Sequence, residues 1–272
     1  MLTVSSDYSA YLAVCEEAAR TAGKIQREKL GTVSVRFKSN PNDLVTEADT
    51  ASQAAIEKII LTAFPCHRFI GEEGNLTALS QQGTARITGE YCWIVDPLDG
   101  TTNFVHTCPM FGPSIALTRG TDILCGVFYN PMTEELFSAA KGGGAFLNGK
   151  RIQTSTRTSA REALVSVSFA SQTDSQSPDL QTFLKALPVC QALRRTGATA
   201  LNLAYVAAGR FDATWAYTCH PWDIAAGIIL VTEAGGVAGK PDGSPFDFND
   251  PSPVCASANE TLHKDLMKTI NG

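Results

Sequence analysis

One stretch constrains this chain more than any other: Trp93-Ile94-Val95-Asp96-Pro97-Leu98-Asp99-Gly100-Thr101-Thr102-Asn103-Phe104. Tyr91 to Val95 has the length and composition of a buried strand. It ends on Asp96, and a second acid follows three residues later. Pro97 has a fixed φ and no N–H, and Gly100 permits a sharp turn. Such a corner can aim the Asp96 carboxylate, the Leu98 carbonyl and the Asp99 carboxylate at one point. Three hard oxygens on a rigid corner suit Mg²⁺. Gly100 to Thr102 can then open a helix whose free N–H groups, with the Thr101 hydroxyl, cradle a phosphate. Carboxylates beside a phosphate need cations between them. The same Asp-Pro-x-Asp-Gly string is also an ordinary turn signal.

Two further acidic segments bear on that choice. Gly71-Glu72-Glu73-Gly74 sets adjacent carboxylates at the end of a short strand around Arg68 to Ile70; a solvated turn is the plain alternative. Trp222-Asp223-Ile224 sets an acid at the start of an otherwise apolar helix. There Asp223 serves as an N-terminal cap, or, flanked by Trp222 and an Ala-rich face, it is partly buried and needs a partner.

The remaining elements follow from periodicity. Helices are expected over Asp7 to Leu30, Thr46 to Ala63, Pro178 to Leu187, Thr199 to Ala208, Trp222 to Ala234 and Glu260 to Ile270. Strands are expected over Ser114–Leu117, Ile123–Tyr129, Glu135–Ala139, Ala145–Leu147, Leu164–Ser168, Phe211–Tyr217 and Pro253–Ala256, with Asn148-Gly149 turning a hairpin. Arg36 to Asp43 reads as a polar turn segment, and Asn75 to Glu90 as a polar loop. The pattern predicts an α+β lobe with an antiparallel sheet over residues 1–155 and an α/β lobe over 156–272.

These motifs, in this order, resemble the inositol monophosphatase family, within the wider group of Mg²⁺-dependent, lithium-sensitive sugar phosphatases. The landmarks are Asp43-Leu44-Val45-Thr46-Glu47-Ala48-Asp49, Gly71-Glu72-Glu73, Trp93 to Phe104 and Trp222 to Gly236, spread over nearly the whole chain. The resemblance implies a layered αβαβα sandwich, a homodimer and two or three Mg²⁺ ions. It gives Glu72, Asp96 and the Leu98 carbonyl to a first ion, and Asp96, Asp99 and Asp223 to a second. A third, weaker ion is expected near Glu72. Gly100, Thr101 and Thr102 would hold the phosphate. Thr101, hydrogen-bonded to Asp49, would orient the attacking water together with Glu72. Glu73 would stand one layer behind the ions, and Lys38 in a loop that closes over them. The backbone at Gly197, Ala198 and Thr199 would face the substrate. The implied activity is hydrolysis of a small polyol or sugar phosphate, with inositol 1-phosphate first. Histidinol phosphate, fructose 1,6-bisphosphate and NADP(H) are rival substrates, and a regulatory binding protein is the rival class.

One position departs from the family. A Glu usually stands seven residues before the last metal acid and bonds substrate hydroxyls; here it is Ala216, and a methyl group accepts nothing. Tyr217 and His220 are candidate replacements. Arg194 and Arg195 are either an anion site or solvated, and His106 has a structural role near the site.

Composition excludes other classes. The 272 residues carry 22 Lys and Arg against 27 Asp and Glu, a formal charge of -5 with no basic block, so nucleic acid is not an expected partner. No apolar run is long enough for a membrane span, and the N-terminus lacks the plan of a signal peptide. The eight cysteines form no Cys-x-x-Cys pair and read as free thiols packed like small apolar residues in a reducing cytoplasm.

Overall fold

The computed structural model describes residues 8–38, 40–73, 90–244, 250 and 252–271. Of the loop expected over Asn75 to Glu90 only Glu90 is among them, and Gly74 lies outside them too. Helix α1 (Ser9–Lys29) and helix α2 (Glu47–Ala63) lie against one face of a seven-stranded sheet. That sheet runs in the order β3 (Arg68–Gly71), β4 (Tyr91–Asp99), β5 (Gly112–Arg119), β6 (Asp122–Asn130), β7 (Glu135–Ala140), β8 (Gly144–Leu147) and β9 (Lys150–Ile152). Only β3 and β4 pair in parallel; the rest is an antiparallel meander. Asn148 and Gly149 both adopt positive φ at the β8–β9 turn, the geometry that makes this dipeptide a hairpin former.

The second sheet has the order β11 (Ala192–Arg194), β10 (Leu164–Ser168), β12 (Ala213–Ala216), β14 (Val254–Ser257) and β13 (Val237–Gly239). The first three are parallel, and β14 and β13 add on antiparallel, so this half is mixed rather than a pure α/β sheet. Between the two sheets lie α5 (Thr199–Ala207) and α6 (Pro221–Glu233). Beyond the second sheet lie α4 (Pro178–Ala186) and α7 (Glu260–Asn271). The five layers form an αβαβα sandwich.

Period-two alternation explains the layering. Along β4, Trp93 and Val95 face α1 and α2, while Cys92 and Ile94 face α6. Along β12, Trp215 enters the outer core and Ala216 the inner one. Both sheets are thus covered on two sides, which is why their strands read as continuous apolar runs. Glycines set the closest approaches: a Cβ at Gly227 of α6 would lie 2.4 Å from the Leu203 side chain of α5.

Arg36 to Asp43 is not simply a turn. β1 (Val35–Phe37) and β2 (Leu44–Thr46) form a two-stranded antiparallel hairpin around it, closed by Lys38 N donating to Asp43 O at 2.8 Å. All three β1 residues are exposed, so no apolar alternation marks the strand. β11 and β13 were equally silent, being three-residue edge strands. None of the eight cysteines forms a disulfide; six are buried, Cys108 is half-buried and Cys66 is exposed.

Candidate active site

The seven-stranded sheet and the first turns of α2 and α6 bring the separated acids within reach of one another's charge. β4 runs through Asp96 to Asp99, and its register with β5 breaks between those two residues. That irregularity frees the Pro97–Leu98 peptide from the ladder. Leu98 N donates to Asp96 Oδ1 at 2.9 Å. Gly100 then takes φ +88°, and a Cβ there would come within 2.8 Å of the Met110 carbonyl, so only glycine fits. The short helix α3 (Thr101–Val105) starts at once. Thr101 Oγ1 lies 3.0 Å from Asp49 Oδ1 and 3.1 Å from Leu98 O.

Asp49 is wholly buried in the first turn of α2. The backbone N–H and hydroxyl of Thr46 both donate to its Oδ2, at 2.8 and 2.6 Å, in a capping box. Glu72 and Glu73 follow β3. Gln53 of α2 holds the Glu73 backbone by accepting from its N–H and donating to its carbonyl. Lys38 Nζ donates to Glu72 Oε1 at 2.8 Å and also to Glu73. Asp223 begins α6, where its Oδ2 accepts from His220 N at 2.6 Å.

Electrostatics tie these groups together. Burial pushes Asp96 well above the usual carboxylate range, and Glu72, Asp99 and Asp223 add repulsion. Burial likewise raises Asp223, with Glu72 contributing. Asp99 is pushed up to about 7 by burial, against the pull of backbone N–H groups at the start of α5. Burial also raises Asp49, and lifts Glu73 to about 7. Burial works to lower Lys38, yet the charge of Glu72 and its bonds to Glu72 and Glu73 hold it well above the ordinary lysine value. An acid cluster with one ammonium group beside it among the described residues favours added cations.

The donor set fits a hard cation such as Mg²⁺: carboxylate oxygens and one backbone carbonyl, with no sulfur or imidazole. As the side chains stand, no three His, Cys, Asp or Glu among the described residues form a ready-made cage. Their oxygens are turned instead to Lys38 Nζ and to backbone N–H groups.

Some sequence-named residues have further partners. Asp99 accepts from Thr199 N at 2.8 Å and Leu201 N at 3.1 Å, so it caps α5 and joins the two halves of the chain. Within the 197–199 segment, Gly197 is exposed, Thr199 half-buried and Ala198 buried against Gly100. The Thr199 N–H is already used by Asp99, and Thr199 Oγ1 donates to Ser168 Oγ at 2.9 Å. Thr102 is exposed beside Thr101. Ala216 is buried in the inter-sheet core. Thr182 Oγ1 donates to the Tyr217 hydroxyl at 2.9 Å, whereas His220 is exposed and stacks on Trp222. Arg194 and Arg195 are exposed, and Arg195 lies over the Phe169 ring. His106 is exposed at the end of α3.

Asn103 was not singled out in the sequence, although it lies inside the key motif. Its amide donates to Met110 O at 2.7 Å and Thr196 O at 2.9 Å, locking α3 to the 196–198 segment.

A layered sandwich with an acid cluster beside a glycine-capped helix start suits the hydrolysis of phosphate esters. The inositol monophosphatase family model matches residues 7–271. Inositol monophosphatase 2 of Solanum lycopersicum is 42% identical over 96% of this chain and 98% of its own. Nus factor SuhB of Pseudomonas aeruginosa is 38% identical, with 95% of each chain covered. The solved inositol monophosphatase of Anabaena (Nostoc) sp. PCC 7120 superimposes with a TM-score of 0.84 at 33% identity, over 98% of this chain and 97% of that one. The chain belongs to the inositol monophosphatase family, and it is a phosphoric monoester hydrolase.

Proposed function

We propose that the protein hydrolyses a small polyol or sugar phosphate, inositol 1-phosphate foremost, in a Mg²⁺-dependent reaction. The observation that carries the reading is the gathering of Glu72 and Asp223, half-buried, around the buried Asp96 and Asp99 at the foot of α3. Glu72, Asp96 and the Leu98 carbonyl would hold one ion, and Asp96, Asp99 and Asp223 a second, with a third near Glu72. When bound, Mg²⁺ neutralises the phosphate dianion, acidifies water and steadies the leaving alkoxide. The chain supplies the rest. Gly100, Thr101 and Thr102 present the first N–H groups of α3 to the phosphate. Thr101, donating to Asp49, turns its lone pairs toward an attacking water. Asp49 is the proton acceptor behind it, and Thr46 holds its carboxylate in place. Glu72 would assist in orienting that water. Glu73 and Lys38 set the charge of the entrance, and Gly197 to Thr199 bound the leaving-group side.

Ala216 offers a polyol no acceptor, so substrate choice needs a broad panel. Phosphate release from inositol 1-phosphate, histidinol phosphate, fructose 1,6-bisphosphate and NADP(H), with and without Mg²⁺, tests the reading. Fastest turnover of inositol 1-phosphate, and only with Mg²⁺, is expected. Equal or better turnover of histidinol phosphate would overturn the substrate. No Mg²⁺-dependent turnover of any ester would leave the second reading, a regulatory binding protein, which the likeness to a Nus factor favours. The reading also takes the chain to be a homodimer in a reducing cytoplasm, with the lack of any disulfide among its eight cysteines and the family resemblance as its support.

A further inference from the structure

Gln26 lies on α1, remote in sequence from every motif above, and is wholly buried. Its Nε2 donates to the Pro97 carbonyl at 2.7 Å. A carbonyl only accepts, so the amide nitrogen must be the atom that faces it. The Gln26 Oε1 is buried without a partner. The side chain is thus held for one bond.

That bond reaches further than one atom. The Pro97 carbonyl and the Leu98 N–H belong to one planar trans peptide and point in opposite directions. The carbonyl end is gripped by Gln26. The N–H end donates to Asp96 Oδ1 at 2.9 Å. The same peptide lies in the register break between Asp96 and Asp99, where no ladder bond to β5 fixes its rotation. The following carbonyl, Leu98 O, is contacted by Thr101 Oγ1. A rotation of the Pro97–Leu98 peptide would therefore swing its N–H away from the Asp96 carboxylate and free that carboxylate to turn.

We propose that Gln26 is a positioning residue which, through the rigid Pro97–Leu98 peptide, sets the orientation of the Asp96 carboxylate in the acid cluster. It touches neither substrate nor reacting atoms. The consequence for metal affinity rests on the Mg²⁺ reading of the acids; the consequence for the peptide does not.

The test compares Gln26→Leu and Gln26→Met, which remove the donor at similar size, with Cys15→Ala. Cys15 is buried on the same helix against the sheet, and its thiol faces Ile115 O rather than the loop. Amide exchange in the Mg²⁺-free protein is read at Leu98 relative to Ile94, a β4 residue in register with both neighbouring strands. Both Gln26 variants are expected to lower the Leu98 to Ile94 protection ratio, and Cys15→Ala to leave it unchanged even where it lowers the melting temperature. In a Mg²⁺ titration followed by thermal stability, the Gln26 variants are expected to need about 10-fold more metal, as when an outer hydrogen bond to a ligand is lost. A wild-type ratio in both Gln26 variants would overturn the positioning role. A normal Mg²⁺ midpoint with a lowered ratio would overturn the link to the cluster. If wild-type stability ignores Mg²⁺, the metal reading fails, and the amide ratio still decides whether Gln26 sets the peptide.

Discussion

At the scale of single residues, Asp96 carries the densest set of constraints. It is almost fully buried, accepts from Leu98 N and faces three other acids. Asp96→Asn keeps an oxygen for the Leu98 N–H and removes the charge. Its activity at saturating Mg²⁺ is expected to vanish, while its metal-free melting temperature is expected to rise because repulsion is relieved. Near-wild-type turnover in a phosphate-release assay would refute the bridging role. Asp96, Asp99, Glu72 and Asp223 were legible as candidates because each stands at the end of an apolar element, where an acid needs a reason. Gln26 was not legible, since its partner is 71 residues away and glutamine is unremarkable on a helix. Nor was the second bond set of Asp99, whose acceptors serve a helix start 100 residues on.

At the scale of elements, the site depends on where α5 and α6 can lie. Gly227 has the Leu203 side chain within 2.4 Å of where a Cβ would stand, and Gly126 of β6 approaches the α6 backbone at Ala226 in the same way. Gly227→Ala is expected to force these elements apart and cost about 1–3 kcal/mol, read as a lower denaturant midpoint. Unchanged stability would mean that the two helices have slack. Long elements with one apolar stripe or a continuous apolar run were readable from spacing. The β1–β2 hairpin and the edge strands β11 and β13 were not. A three-residue strand with exposed side chains leaves no periodic signal, and its stability comes from the chain that pairs with it.

At the scale of the whole molecule, the buried acids couple folding to pH and to metal. Asp99 and Glu73 are held at about 7, and Asp96 and Asp223 are also raised. A raised carboxyl binds its proton more tightly in the folded state than in the unfolded one. Its stabilising contribution is complete below the ordinary carboxylate range and is lost as pH rises through about 7. The metal-free protein is therefore expected to melt at lower temperature as pH goes from about 5 to about 8. Added Mg²⁺ competes with those protons and binds only the folded chain, so its stabilisation is expected to grow over the same range. Melting curves with chelator and with excess Mg²⁺ check this; a gap that is flat or shrinks with pH would contradict it.

The sequence by itself determined which long segments are helix and strand, that two kinds of sheet alternate with helices, and which acids have no business at the end of an apolar run. These are properties of local spacing, and spacing is written along the chain. Only the tertiary structure decided that Asp99 caps a helix in the other half, that Lys38 stands between Glu72 and Glu73, and that Ala216 faces the inter-sheet core. It also decided that a glutamine on the first helix grips the peptide behind Asp96. Each depends on atoms meeting across many residues, through single hydrogen bonds whose direction is set by packing rather than by any pattern a neighbouring residue could betray.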